Sequence, residues 1–383
     1  MIPYGKQTIS EHDIDAVVEV LKSDWLTQGP KVPAFEQAIA DYCGANFACA
    51  TNSATSALHI ACLTLGVGEN DLVWTSPISF VASANCALYC GAQIDFVDID
   101  LATGNMSVAA LAEKLTLAKQ NNCLPKVLIP VHLAGQSCDM QAIHTLAKKY
   151  GFKVIEDASH AIGAKYQNKS IGCCQYSDIT VFSFHPVKII TSAEGGMAVT
   201  NDRVLAEKMH RLRSHGITNN PELMTEASHG PWYYQQIELG YNYRMTDLQA
   251  ALGLSQLTKL DQFVAKRNEL ALTYDRAINS LPLAHLTQHT DCYSSYHLYI
   301  VRLINASKEQ HKTLICKLRA HNIISHLHYI PIHLQPYYKA LGFNEGDFPN
   351  AEQYYQQAIT IPLYPAMTTD EQLEVISAIR QSV

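Results

Sequence analysis

The sequence predicts an α/β protein: a large domain on a mostly parallel sheet, then a smaller α+β C-terminal domain. Two observations carry this. Between residues 45 and 200, short β-rich runs alternate with amphipathic stretches. That alternation is the signature of βαβ crossovers, with helices on both faces of the sheet. After residue 245 the pattern changes to a long helical stretch and a mixed C-terminal segment. The chain divides on this reading into 1–245, an N-terminal arm with the large domain, and 246–383, a linking helix with the small domain. A length of 383 residues suits two domains.

The elements follow in order. Strands are expected at 47–51, 72–75, 94–97, 126–130, 153–155, 178–182 and 196–200. Helices are expected at 55–65, 80–90 and 139–150. Residues 216–243, rich in Gly, Asn, Pro and Tyr, read as a long irregular excursion, and loops of that length are often functional. One helix is expected over 246–279, one strand over 296–303, and helices over 307–321 and 369–382.

Composition narrows the function classes. Hydrophobic residues at 48 % against 16 % charged supply a sizeable core and exclude disorder. A net charge of −7 disfavours nucleic acid and anionic membranes as main partners. No apolar run approaches the ~20 residues of a membrane span. The first residues lack the basic-then-apolar plan of a signal peptide. Eleven scattered cysteines, without a CxxC pair, fit reduced core thiols and offer no zinc cluster. A cytoplasmic location is the expectation.

Ligands of such sheets bind at the carboxyl ends of strands, so the loops after strands hold the candidates. Asn52-Ser53-Ala54-Thr55-Ser56 lies between a strand and a helix. Small hydroxyl residues there either cap the helix or present free N–H groups to a phosphate-sized anion. Glu156-Asp157-Ala158-Ser159-His160 follows another strand. An acid there can hold a cationic ring nitrogen, or simply cap the next turn. Lys188 ends the run Phe182-Ser183-Phe184-His185-Pro186-Val187-Lys188, a little before Glu194-Gly195-Gly196. Lysines are usually solvated; one among apolar and aromatic neighbours is a candidate for desolvation, which frees a neutral amine to attack a carbonyl. Gly240-Tyr241-Asn242-Tyr243-Arg244-Met245 ends the long excursion.

Together and in this order, these segments resemble the DegT/DnrJ/EryC1/StrS family of sugar aminotransferases. Those enzymes are fold-type I and depend on pyridoxal 5′-phosphate. The resemblance runs from Trp25-Leu26-Thr27-Gln28-Gly29-Pro30 to Leu363-Tyr364-Pro365. Residues 52–59, 75–85 and 326–338 are similar to the subgroup working in pseudaminic acid biosynthesis. The resemblance implies that Lys188 bonds to the cofactor and then shuttles a proton, while Asp157 pairs with the pyridinium nitrogen. His160 stands where many relatives carry Gln against the ring's 3-oxygen. Phe80 matches the aromatic stacked on the ring. Ser53, Ala54, Thr55 and Ser183 match the phosphate site, and Asn242 a residue reaching the phosphate of a neighbouring subunit. A homodimer with shared active sites is therefore implied. The implied substrates are L-glutamate and a UDP-linked 4-keto-6-deoxy sugar. Candidate sugar-nucleotide contacts are Tyr4, Asp24, Trp25, Leu26, Thr27, His328, Tyr329 and Ile330, with His326 nearby.

Three rivals fit less well. A nicotinamide dehydrogenase wants GxGxxG after its first strand, and Gly66-Val67-Gly68 lacks the third glycine. A dehydratase of the same family would have histidine in place of Lys188. A non-catalytic cofactor binder has no need of both Lys188 and Asp157. A C4 aminotransferase for another nucleotide sugar, of the perosamine, bacillosamine or 4-amino-arabinose type, shares every cofactor residue and stays open.

Overall fold

The computed structural model describes residues 1–383. Its elements, in chain order, are α1 (Glu11–Leu21), α2 (Lys31–Cys43), β1 (Phe47–Thr51), α3 (Ala54–Thr64), β2 (Leu72–Thr75), α4 (Ala82–Tyr89), β3 (Gln93–Phe96), α5 (Val108–Gln120), β4 (Val127–Ile129), α6 (Met140–Tyr150) and β5 (Lys153–Asp157). Then come β6 (Lys165–Tyr166), β7 (Lys169–Ser170), β8 (Ile179–Ser183), β9 (Gly196–Thr200), α7 (Arg203–Leu212), β10 (Ile217–Thr218), β11 (Gln235–Gln236), α8 (Asp247–Leu257) and α9 (Leu260–Ile278). The C-terminal part holds β12 (Leu283–His285), β13 (Cys292–Tyr293), β14 (Tyr299–Leu303), α10 (Lys308–Ala320), α11 (Pro336–Lys339), α12 (Pro349–Gln357), β15 (Ala358–Ile361) and α13 (Thr369–Ser382).

The seven-stranded sheet has the order β1-β9-β8-β5-β4-β2-β3. All neighbours from β8 through β3 pair in parallel, and β9 alone runs antiparallel to both its neighbours. Alternation within strands sends side chains to two cores. Ala48, Ala50, Leu128, Val154 and Phe182 enter one; Cys49, Val127, Ile129, Ile155 and Val181 enter the other. With both faces covered, the strands read as continuous apolar runs rather than alternating ones. All eleven cysteines are free thiols.

A third core surrounds the sheet β12-β14-β15. Helix α9 joins it to the large sheet: Leu260, Phe263 and Val264 pack on the first core, while Leu270, Tyr274 and Ile278 pack on the third. Between these halves Arg267 is buried, and its Nη1 donates to the carbonyls of Tyr296, His297 and Leu363 at 3.0–3.1 Å. Burial without an acid partner pulls this guanidinium down to about 9.

Two expectations need correction. The helix over 246–279 is two helices, broken at Thr258-Lys259, where Thr258 Oγ1 donates to the Ser255 carbonyl. The apolar period persists across that break, so the sequence pattern hides it. The C-terminal segment also has more than one strand. β12 and β15 flank β14, and both were overlooked because runs of three and four residues carry little periodic signal.

Candidate active site

Sheet register assembles the site. Gly196 pairs with Thr51 on one side and with Ser183 on the other. Asp157 pairs with Val181. The turns after β1, β5 and β8 therefore emerge together on one edge. A Cβ on Gly196 would stand 2.5 Å from backbone atoms of Ser53 and Ala54, so only glycine lets the strand pass this close beneath the start of α3. That helix is capped by Ser53, whose Oγ accepts the Ser56 N–H at 3.1 Å. The capping reading of the 52–56 segment holds, and it leaves the anion-binding reading open. Ser53 is the cap, and the first-turn N–H groups of Ala54 and Thr55 have no intrahelical acceptor.

These turns line a cavity of about 530 Å³. Asp157 lies on its floor, buried, with Oδ2 accepting from Ser83 Oγ at 2.5 Å and Oδ1 from the Ser159 N–H at 3.1 Å. Lys188 enters from the β8–β9 connection. That loop is anchored by buried Ile189 and Ile190 and by the Phe184 amide, which donates to the Gly195 carbonyl at 2.9 Å. Removal from water lowers the Lys188 amine to about 8, against the pull of the Asp157 carboxylate. Three buried imidazoles, His160, His297 and His328, share the cavity. Burial holds all three uncharged, and the neighbouring Lys188 reinforces it. His328 is pushed down to about 3.

Of the residues named from sequence, Ser53, Ala54, Thr55, Phe80, Asp157, His160, Ser183, Lys188, Tyr4, His328 and Tyr329 all line this one cavity. Phe80 is 60 % exposed there, a flat apolar wall awaiting a ring. Tyr4 is brought in by the N-terminal arm: Ile2 pairs with Ile323, and the Tyr4 carbonyl accepts from the Leu363 N–H. The tyrosine ring stands 5.2 Å from His326 and 5.1 Å from His328.

Other named residues fall elsewhere. Asp24, Trp25, Leu26 and Thr27 are exposed on the α1–α2 connection and do not line the cavity of their own chain. Their loop is tied to α8 instead, through the Thr27 carbonyl and the Asp247 N–H. Asn242 is likewise exposed and outside it, in a bridge to Ser214. Ile330 is 45 % exposed and does not line the cavity. Conversely, Ser79, Ser83 and His297 belong to the lining without having been singled out by the sequence, and Glu194, noted there only as a neighbour of the glycine pair, joins them. Ser79 and Ser83 are a hydroxyl pair four apart, 2.6 Å between oxygens, a spacing visible in the sequence. His297 is a lone histidine before a strand and carries no such signal.

The donor set fits pyridoxal 5′-phosphate: an amine for its aldehyde, a buried acid for its ring nitrogen, helix N–H groups for its phosphate and a flat wall for its ring. A strand-edge cavity furnished this way is that of a pyridoxal-phosphate-dependent enzyme. Comparison with known proteins narrows this to an aminotransferase. The chain belongs to the DegT/DnrJ/EryC1/StrS aminotransferase family, whose model matches residues 7–380. It is 39 % identical to the spore coat polysaccharide biosynthesis protein SpsC of Bacillus subtilis, over 100 % of this chain and 97 % of that one. It is also 39 % identical to the UDP-4-amino-4,6-dideoxy-N-acetyl-beta-L-altrosamine transaminase of Campylobacter jejuni, over 96 % and 93 %. Among solved structures, Helicobacter pylori PseC, an aminotransferase in the biosynthesis of pseudoaminic acid, superposes with a TM-score of 0.90 at 34 % identity, covering 100 % and 98 %. No helix is long and apolar enough to cross a membrane.

Proposed function

We propose that this sugar aminotransferase moves the amino group of L-glutamate to C4 of UDP-2-acetamido-2,6-dideoxy-β-L-arabino-hexos-4-ulose. The product would be UDP-4-amino-4,6-dideoxy-N-acetyl-β-L-altrosamine, the activity classed as EC 2.6.1.92. The near full-length identity to the Campylobacter transaminase carries this reading. The second reading is a C4 aminotransferase for another nucleotide 4-keto sugar; the equal identity to SpsC, a protein of spore coat polysaccharide biosynthesis, keeps a different sugar in play.

Pyridoxal phosphate supplies a conjugated ring that stores the electron pair left on the amino-bearing carbon when its proton departs. The chain's residues do the rest. Asp157 holds a proton on the ring nitrogen. Ala54 and Thr55 bind the phosphate with N–H groups, helped by the positive end of α3 and by Ser183. Phe80 covers one ring face. Lys188 Nζ would hold the cofactor's aldehyde, and the same amine would take the proton from the donor's α-carbon and supply one at the sugar's C4. Tyr4, His328 and Tyr329 line the side from which the sugar enters.

Asn242 and the Asp24–Thr27 loop complete the site of a second copy in this reading. The 216–243 excursion shows apolar side chains in keeping with that: Trp232 is 75 % exposed and Leu239 76 %. This reading is of a homodimer, with a cytoplasmic location as the expectation.

Turnover of L-glutamate with the L-arabino 4-keto sugar, but not with D-configured analogues, is the expected specificity. Equal rates with the D-sugars would sink the pseudaminic assignment while leaving the family activity intact. A pH dependence follows as well. Only the neutral amine attacks an aldehyde, and the Lys188 amine is neutral above about 8 instead of above the ordinary 10.5. Cofactor-free protein should therefore gain bound-cofactor absorbance faster as pH rises, with a midpoint near 8. A capture rate that rises only in the ordinary lysine range would show that burial does not tune this amine.

A further inference from the structure

The imidazole of His160 touches backbone on one side and Tyr329 on the other. Its Nδ1 lies 3.3 Å from the Ala134 amide nitrogen, and its Nε2 lies 3.0 Å from Tyr329 Oη. An amide N–H can only donate, so Nδ1 must accept. The ring is 5 % exposed and lies beside Lys188, conditions that keep a histidine neutral with a single proton. That proton then has to sit on Nε2, and Nε2–H donates to Tyr329 Oη. With its oxygen used as acceptor, the tyrosine's own O–H turns away from His160. No other group of the chain hydrogen-bonds to Tyr329 Oη, and the residue lines the cavity.

The surroundings hold this arrangement still. The His160 carbonyl accepts from Ser295 Oγ at 2.8 Å. The loop carrying Tyr329 is fastened to β15 by the His326 and Thr360 backbones, and the His328 carbonyl accepts from Tyr354 Oη at 2.9 Å. The tyrosine ring lies nearly parallel to that of His160, at 22° and 6.0 Å.

We propose that His160 is a positioning residue. Its fixed tautomer aims the Tyr329 hydroxyl proton into the cavity, at an oxygen that carries negative charge in the reaction. Two oxygens share that chemistry: the cofactor's ring oxygen and the 4-keto oxygen of the sugar. With Nδ1 on the Ala134 amide and Nε2 on Tyr329 Oη, His160 acts on that oxygen through the tyrosine hydroxyl. The inference rests on the keto-sugar aminotransferase reading, and unaltered enzyme that fails to turn over with L-glutamate and a 4-keto nucleotide sugar would refute that reading separately.

The test is a double-mutant cycle on cofactor-loaded enzyme, with single-turnover rates for the sugar half-reaction. Tyr329→Phe and His160→Leu should each slow that step at saturating sugar by roughly tenfold, the scale of one hydrogen bond to a charged group. The double variant should be no slower than Tyr329→Phe alone, since His160 acts through that hydroxyl. His160→Gln, which keeps one acceptor and one donor, should recover part of the rate and guards against a folding defect in the leucine variant. Absorbance of the resting enzyme separates the two acceptors. A band moved alike by Tyr329→Phe and His160→Leu assigns the hydroxyl to the cofactor oxygen; an unmoved band with a slowed sugar step assigns it to the sugar. Additive losses, or a slow His160→Leu beside an unimpaired Tyr329→Phe, would overturn the proposal.

Discussion

Lys188→Ala should abolish transamination, lowering turnover by roughly 10³-fold or more, the scale on which a general acid–base is missed. In the proposed mechanism the loss is that large because one nitrogen would perform two tasks: holding the cofactor, and moving the proton at the donor carbon and at the sugar's C4. The nearby imidazoles are poor substitutes: burial holds His160, His297 and His328 below the ordinary imidazole range, which makes each a weak base, and the first is committed to Ala134 and Tyr329. Folding should survive, because the loop is fixed by Ile189, Ile190 and the Phe184–Gly195 hydrogen bond rather than by the amine. Phosphate-site binding of the cofactor should survive too. The check is turnover together with the absorbance of added pyridoxal phosphate. A variant that keeps full transamination would remove Lys188 from the mechanism.

Asp157→Asn should cost about 10²–10³-fold in kcat, the range for losing one preorganised charge at a reacting centre. The substitution is nearly isosteric, so packing is spared. The carboxylate, however, accepts from both Ser83 Oγ and the Ser159 N–H. An amide keeps one acceptor only, and it no longer favours a proton on the ring nitrogen. The expected signature is a fall in kcat for both half-reactions with a smaller change in cofactor affinity. Loss of affinity at unchanged kcat would make Asp157 a binding residue alone.

Much of this molecule was legible in the sequence. The strands that became β1, β2, β5, β8 and β9 are short apolar runs, and apolar runs between helical stretches have few other solutions. The cavity residues Ser53, Asp157 and Lys188 were legible for a related reason: Asp157 ends a strand and the other two follow one, and a parallel sheet delivers the ends of its strands to one edge. What tertiary structure decided is which of these turns meet, and what else joins them. Gly196 brings the β1 and β8 turns together through its pairing with Thr51 and Ser183, a relation between residues far apart in the chain. His297 reaches the cavity because Arg267 holds its carbonyl from the middle of α9. The Trp25 loop misses its own cavity because Thr27 is tied to Asp247. A sequence records the local preferences of each segment; the proton that His160 directs to Tyr329 depends on an amide 26 residues away, and only the packed fold sets that distance.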